Sequence, residues 1–262
     1  MKTLLRNTLV IILPIIALKL SGEVTTKDIF GNPGRADKVV SHIGYVLGFS
    51  QDFRLSRWVG YKLTELMVET VVADRGNLNY YQDRLCNETS EGRIATLDFQ
   101  RVNCHVGHLA PAQDMRWDAD ALRESFYFTN MSPQYPEFNT GGWKTLEKYI
   151  RGFSCTEGEI IVISGPVLPS KPDSRIGPQG RKYLTVPKKF YKVVYAPKSS
   201  KMIAFLIPHE KGKVLADPRF YAQTVDKIEE ETGLDFFSDL PPGVQSYLES
   251  RIDLSQWTWL QK

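Results

Sequence analysis

Short apolar runs recur along this 262-residue chain, separated by polar segments that contain Gly or Pro. Runs rich in Val, Ile, Tyr and Phe with such boundaries predict β-strands. Residues 39–49 and 58–63 are predicted to form two strands around a polar turn. Further strands are predicted over residues 159–167, 190–196 and 202–207. A sheet is therefore expected to form much of the core.

Two segments have the spacing of helices. Apolar residues recur every three to four positions on one face, as in an amphipathic helix, at Trp143, Leu146, Ile150 and Phe153. A second helix is predicted over residues 226–231, ending before Gly233. Residues 68–103 are polar and irregular, which indicates a long surface excursion. Strands with a few helices between them predict an α+β fold.

The first residues have the layout of a secretory signal. Lys2 and Arg6 precede an apolar run at residues 9–18, and a polar stretch follows. A helix of ten residues is too short to span a bilayer. We therefore predict a signal peptide over residues 1–22, a single domain over residues 23–262, and a secreted or periplasmic protein without membrane association once the signal is removed. An uncleaved anchor or a buried first helix is the alternative.

The charge of the remaining chain is balanced. The whole chain has 33 basic and 30 acidic residues, and residues 1–22 hold three of the basic ones, so 33 − 3 = 30 remain. Global charge thus gives no support for polyanion binding. Residues 171–201, however, contain nine basic residues, one acidic residue and four interleaved aromatics. This composition suits a phosphate backbone and stacked bases, although a solvated strand face with a loop explains it equally well.

The apolar fraction of 42% and the charged fraction of 24% are typical of a globular domain. Three cysteines, Cys86, Cys104 and Cys155, allow one disulfide and leave one thiol in an exported chain. Their pairing stays open. The sequence has no CxxC pair and no Cys/His cluster with the spacing of a zinc site.

Four histidines are the candidate bases. His42 lies inside a predicted strand, where core packing accounts for it, and His209 follows a strand end as a loop residue. His105 and His108 share one short segment in which Gly107 allows close approach of a ligand. Their spacing alone is weak support for a metal pair. Asn139 stands where a helix N-cap is expected, and its amide oxygen also suits magnesium.

Three blocks in order carry a family resemblance. They read Gly-His-Leu-Ala-Pro-Ala at 107–112, Phe-Tyr-Phe-Thr-Asn-Met-Ser-Pro-Gln at 126–134, and Asn139 followed by Trp143 and Leu146-Glu147. In this order they closely resemble the DNA/RNA non-specific endonuclease family of ββα-metal (His-Me finger) nucleases, which includes endonuclease G. Weaker similarity extends over residues 40–250, nearly the whole predicted domain.

The resemblance implies an antiparallel β-sheet core with helices and a ββα-metal motif. It implies a hydrolase that cuts DNA and RNA without sequence preference, leaves 5′-phosphate ends, and uses Mg²⁺, with Mn²⁺ as a substitute. His108 would be the general base, Asn139 the metal ligand, and Glu147 the residue that orients the metal's water shell. Asn130 would support the site by hydrogen bonds near His108, and Arg75 would contact the phosphate.

One departure from the family stands in the signature itself. The family has Asp-Arg-Gly-His where this chain has His105-Val106-Gly107-His108. Loss of the arginine leaves a second hypothesis, a nuclease-like nucleic-acid-binding protein with reduced or no turnover. A third is an exported interaction domain without a nucleic-acid role, which explains the strands but not the order of the motifs. The oligomeric state stays open, with a homodimer as one alternative.

Overall fold

A computed structural model describes residues 23–86, 93–176, 180, 182–213 and 217–262. The predicted signal peptide lies outside these residues. The strands are β1 Lys38–Ser41, β2 Val46–Ser50, β3 Leu55–Thr64, β4 His105–His108, β5 Met131–Gln134, β6 Glu159–Pro166, β7 Lys189–Ala196, β8 Lys201–Pro208 and β9 Ala222–Gln223. The helices are α1 Glu65–Glu69, α2 Thr96–Gln100, α3 Ala119–Glu124, α4 Pro136–Phe138, α5 Lys144–Glu157, α6 Val225–Thr232 and α7 Pro242–Glu249.

Seven strands form one antiparallel sheet in the order β1-β2-β3-β6-β7-β8-β9. A separate antiparallel pair, β4 and β5, forms a small hairpin-like sheet. The predicted α+β fold with an antiparallel sheet core is confirmed. The three later strands and the helices α5 and α6 are confirmed within a few residues of their predicted ends.

The prediction of one strand over residues 39–49 was wrong. That segment holds β1, a tight turn and β2, so the first part of the sheet has three strands rather than two. The turn closes where the backbone N–H of His42 donates to the carbonyl of Tyr45 at 2.8 Å. Residues 42–49 are nearly all buried, so their apolar pattern continues through the turn and hides it. The segment 68–103 also contains α2, which its polar composition did not predict.

The large sheet is covered on both faces. Side chains alternate along β7, with Phe190 and Val194 on one face and Tyr191 and Val193 on the other. We name the first face the α5 face, because Leu146 of α5 packs in the same cluster, and the second the α6 face, since α6 packs there. Burial on both faces explains why these strands are continuous apolar runs.

Lys192 is the exception in this pattern. It lies between Phe190 and Val194 on the α5 face and is fully buried. Its Nζ donates to the carbonyl of Leu109 at 3.1 Å and lies 4.4 Å from the centroid of the Trp143 ring. The same carbonyl also accepts from the hydroxyl of Ser164 in β6 at 2.7 Å. Two side chains of the large sheet thus hold the residue that follows β4.

Asn130 fixes the same segment from the other side. Its fully buried amide accepts from the N–H of Ala110 at 2.9 Å, and it donates to the carbonyls of Ala110 at 2.9 Å and Ser125 at 2.8 Å. Its own carbonyl accepts from the N–H of Leu109 at 2.9 Å. The hydrogen-bonding groups of residues 109 and 110 are therefore paired without water.

Gly107 is required inside the small sheet. A Cβ atom at this position would overlap the side chain of Gln134, which is itself fully buried. A larger residue would push Gln134 away and open β4 from β5. Within the described residues, no helix is long and apolar enough to cross a membrane.

Replacement of Asn130 by alanine is expected to lower the free energy of unfolding by about 3 kcal/mol, because it leaves the buried N–H of Ala110 without an acceptor. Urea denaturation of the full chain measures this value. Asn139→Ala is the matched control: that amide is half-buried and bonds one other side chain, so a loss below about 1 kcal/mol is expected. Equal losses in the two variants would contradict the structural role of Asn130.

Candidate active site

Two strands and a helix place the predicted residues. β4 pairs with β5, with His108 opposite Met131, and the chain then continues through α4 into α5. A distorted turn at Asn139–Trp143 separates these two helices, and Gly141 within it has non-helical angles of φ −101° and ψ −111°. The hairpin and the long helix together form a ββα unit, as the family resemblance implied.

The N-cap interpretation of Asn139 was wrong. Its backbone is already helical, with φ −61° and ψ −44°, because a helical turn begins three residues earlier at Pro136. The residue before α5 is Trp143, which has no side-chain cap bond. The amide of Asn139 is therefore not used to cap α5.

A cavity opens where β4, the distorted turn and α5 meet. Four of the five predicted site residues line it together: Arg75, His108, Asn139 and Glu147. Asn130 does not line the cavity; it lies behind it, bonded to Ala110. The other lining residues are Asp74, Tyr80, Val106, Pro111, Ala112, Gln113, Arg116, Leu122, Phe126, Thr140 and Lys144.

The His108 ring lies among aromatic side chains. The Phe126 ring meets it edge to face at 5.0 Å between centroids, and Tyr80 lies at 6.3 Å. Its Nε2 is buried and has no hydrogen-bond partner among the described residues. Burial, and then the positive charge of Arg75, lower the pKa of His108 to about 3. The imidazole is therefore neutral at physiological pH.

Three cations line the cavity. The guanidinium of Arg75 lies 5.3 Å from the centroid of the Phe126 ring, the same ring that contacts His108. Arg116 lies 3.5 Å from the carboxylate of Asp74, and Lys144 is exposed at the start of α5. Val106 stands among them without a charge. The cavity thus offers positive charge although its motif arginine is absent.

Glu147 lies near a group of buried charged residues that the sequence analysis did not predict. Burial raises the pKa of Glu147, and the positive charge of Lys192 opposes this shift. The other two buried charges, Arg151 and Asp114, form an ion pair at 2.7 Å. The hydroxyl of Tyr61 donates to Asp114 at 2.9 Å. One signal was available in the sequence: Lys192 occupies an inward-facing position of an apolar strand, where a charge requires a partner.

His105 does not line the cavity but contacts a residue that does. Its Nδ1 lies 3.3 Å from the side-chain nitrogen of Asn139. The residue that replaces the family's aspartate therefore contacts the predicted metal ligand directly.

The remaining histidines lie outside the cavity. His42 is buried as predicted, with its Nε2 3.1 Å from Asp83. His209 is buried rather than a surface loop residue: its Nδ1 donates to the carbonyl of Pro187 at 2.7 Å, and its Nε2 accepts from the N–H of Tyr135 at 2.7 Å. Burial lowers its pKa to about 4.

The basic stretch 171–201 does not form one surface in its described part. Lys192 is buried, and Lys189 and Lys201 pair with acidic residues at 2.8 Å each. Phe190 and Tyr191 are core residues. Strand alternation distributes these side chains over both faces of the sheet, so the described part of the stretch fits the alternative of a strand with a loop.

The three cysteines are thiols in the structure. Cys86 and Cys104 are buried, and Cys155 is half-buried. Burial raises the pKa of Cys104 to about 12 and raises that of the other two as well. The buried thiols are therefore poor nucleophiles.

A separate carboxylate group lies on the α6 face. Asp226, Glu229 and Glu249 bring ligand atoms within 4.8 Å of one another, and within the described residues this is the only grouping of three or more His, Cys, Asp or Glu ligands. The cavity therefore has no cluster typical of zinc. It offers the amide oxygen of Asn139 and the carboxylate of Glu147, which fits a divalent cation that prefers oxygen and keeps most of its water.

Sequence similarity links the chain to known nucleases. The profile of the DNA/RNA non-specific endonuclease family matches residues 24–243. A nuclease of Nostoc sp. is 26% identical over 254 residues, covering 90% of this chain and 89% of the relative. Nuclease C1 of Cunninghamella echinulata is 28% identical, with coverage of 80% and 87%. Mitochondrial endonuclease G of Homo sapiens is 25% identical, with coverage of 80% and 73%.

A solved structure gives the same result. A chain from the crystal structure of the EndoG/EndoGI complex superposes with a TM-score of 0.70 at 27% identity, covering 82% of this chain and 91% of that one. The predicted resemblance and the predicted hydrolase class are thereby confirmed. Since the family profile covers most of its length, the chain belongs to the DNA/RNA non-specific endonuclease family.

Proposed function

We propose that this chain is a divalent-metal-dependent endonuclease that hydrolyses phosphodiester bonds in DNA and RNA with His108 as its general base. One observation carries the proposal: the neutral imidazole of His108 shares a cavity with the amide of Asn139, the carboxylate of Glu147 and three cations. Its Nε2 has no hydrogen-bond partner among the described residues. Membership of the family supports the substrate class.

His108 would remove the proton from the attacking water. A general base must be unprotonated, and burial with the nearby Arg75 holds the ring neutral. The bond between Trp143 Nε1 and the His108 carbonyl, at 3.3 Å, fixes the backbone that carries the ring. Attack in line with the 3′ oxygen would leave a 5′-phosphate end.

The cavity cations would bind the phosphate. Arg75, Arg116 and Lys144 come from three different segments, so they surround the cavity rather than following one strand. Contacts to phosphates carry no base identity, which accounts for low sequence preference. Arg75 and its neighbours would supply the charge that Val106 does not.

Asn139 would hold Mg²⁺, or Mn²⁺ as a substitute, through its amide oxygen, and Glu147 would orient the bound water. Such an ion, when bound, neutralises a phosphate oxygen and stabilises the leaving oxygen. The buried charges of Lys192, Asp114 and Arg151 surround Glu147 and set the electrostatic environment of its carboxylate.

A second hypothesis follows from Val106, which lines the cavity where the family has an arginine. In that case the chain binds nucleic acid without turnover. The two hypotheses differ in one assay: plasmid and RNA are cut in magnesium under the first, and are only retarded on a gel under the second.

We also propose that residues 1–22 direct export, to the medium or the periplasm. The exported protein is expected to lack the apolar run 9–18 when its N-terminus is determined by mass spectrometry. Reversal of the two leading charges, Lys2→Glu with Arg6→Glu, is expected to lower the exported fraction. Recovery of the intact N-terminus outside the cell would refute a cleaved signal.

His108→Ala is expected to lower plasmid and RNA cleavage in magnesium by about 10²–10⁴-fold, because the water loses its proton acceptor. EDTA is expected to abolish cleavage by the parent protein. Added imidazole is the matched control, since it restores a base in the vacated space and should recover part of the activity. A variant that cuts as fast as the parent would remove His108 from this role.

The ionisation of His108 is a separate test. Its folded pKa lies below the ordinary value, so the ring is expected to stay neutral between about pH 5 and 8, where an ordinary histidine titrates. Imidazole NMR of the full chain measures this. The charged residues that line the same cavity are Asp74, Arg75, Arg116, Lys144 and Glu147.

Arg75→Gln removes the cation whose positive charge helps to lower the pKa of His108. This variant is expected to raise that pKa toward its ordinary value. Lys144→Gln is the control, because it removes a different cation that lines the same cavity, and the pKa of His108 is expected to stay low in this variant. A parent ring that titrates near pH 6.5 would contradict the lowered pKa of His108.

A further inference from the structure

We propose that His105 is a positioning residue: it accepts a hydrogen bond from the amide nitrogen of Asn139 and so directs the amide oxygen toward the metal. This inference rests on the proposed function and extends it to a residue that departs from the family's signature. The contact that carries it is the 3.3 Å distance between His105 Nδ1 and Asn139 Nδ2.

The covalent geometry of the amide turns this contact into a choice between two orientations. The oxygen and nitrogen of an Asn side chain lie on opposite sides of one carbon, and only the oxygen can bind a cation. A bond from Nδ2 to His105 therefore turns Oδ1 away from His105. Without that bond, rotation by half a turn exchanges the two atoms and presents N–H groups to the ion.

The backbone around Asn139 does not make this choice. Asn139 begins the distorted turn that ends at Trp143, and Gly141 two residues later has non-helical angles. The Asn139 side chain is half-buried, and His105 is its hydrogen-bond partner in the structure. Among the described residues, His105 is therefore the group that can fix the orientation of this amide by a hydrogen bond.

His105 is well placed to do so. It is the first residue of β4 and pairs with Gln134 of β5, so its backbone belongs to the small sheet rather than to a loop. The family has an aspartate at this position, and aspartate Oδ1 is as many bonds from Cα as histidine Nδ1. The substitution therefore keeps a hydrogen-bond acceptor in the same place while removing a negative charge.

Four variants of the full chain separate the loss of the hydrogen-bond acceptor from a change in side-chain size. His105→Phe keeps a ring of similar shape and loses the acceptor. His105→Asn restores a neutral acceptor at the same number of bonds from Cα. Asn139→Ala removes the ligand itself, and the double variant completes a cycle. The probe is Mn²⁺ without nucleic acid, with free Mn²⁺ measured by electron paramagnetic resonance, so the readout does not depend on turnover.

His105→Phe is expected to weaken Mn²⁺ binding about tenfold, as loss of a group that orients a metal ligand does. His105→Asn is expected to recover most of the affinity. The midpoint of urea denaturation should be the same in the parent, His105→Phe and His105→Asn proteins, since the lost contact is at the surface. In the Asn139→Ala background, His105→Phe should change Mn²⁺ binding no further.

The outcomes distinguish this proposal from the one on which it rests. If the parent binds Mn²⁺ and Asn139→Ala weakens binding, but His105→Phe binds as the parent does, only the positioning role is overturned. If His105→Phe weakens binding equally in the Asn139→Ala background, His105 is a ligand itself and positioning is again wrong. A parent protein that neither binds Mn²⁺ nor cuts nucleic acid overturns both proposals.

Discussion

The carbonyl of Leu109 joins the small sheet to the large one, and the site depends on that junction. It accepts a hydrogen bond from Ser164 in β6 and another from Lys192 in β7. Leu109 follows His108 directly, so the two bonds fix where β4 ends relative to the sheet. Asn130, the residue before β5, completes the attachment by pairing the N–H of Leu109 and both backbone groups of Ala110. The position of the His108 ring is thus fixed through the backbone, since its Nε2 has no hydrogen-bond partner among the described residues.

The same junction explains why a charge is buried under the cavity. A lysine inside a protein is costly unless its ammonium finds acceptors and opposite charge. Lys192 has the Leu109 carbonyl, the face of Trp143 and the nearby negative charges of Glu147 and Asp114. Lys192 therefore both anchors the end of β4 and contributes to the electrostatic environment of Glu147. A change at Lys192 is expected to disturb both.

The sequence predicted strands β6, β7 and β8 and helices α5 and α6, because their apolar periodicity is set by burial on the sheet faces. It failed at residues 42–45, where a buried turn keeps the apolar pattern of its strands, and at α1 and α3, whose five and six residues are too few for a clear helical period. It also did not predict α7. The family resemblance implied Arg75, His108, Asn139 and Glu147, and the structure brings these four to one cavity. It did not predict Lys192, Asp114 or the contact of His105 with Asn139, which join residues distant along the chain.

The amino-acid sequence by itself determined which chemical groups are present and which strands and helices carry them, because side-chain identity and periodicity are local properties. Tertiary structure alone decided which groups meet. Packing of α5 on the large sheet buries Lys192 near Glu147. Hydrogen bonds to Ala110 and Ser125 hold Asn130 outside the cavity. These outcomes depend on the relative placement of distant segments, and burial there changes the pKa of His108 in a way that no local pattern encodes.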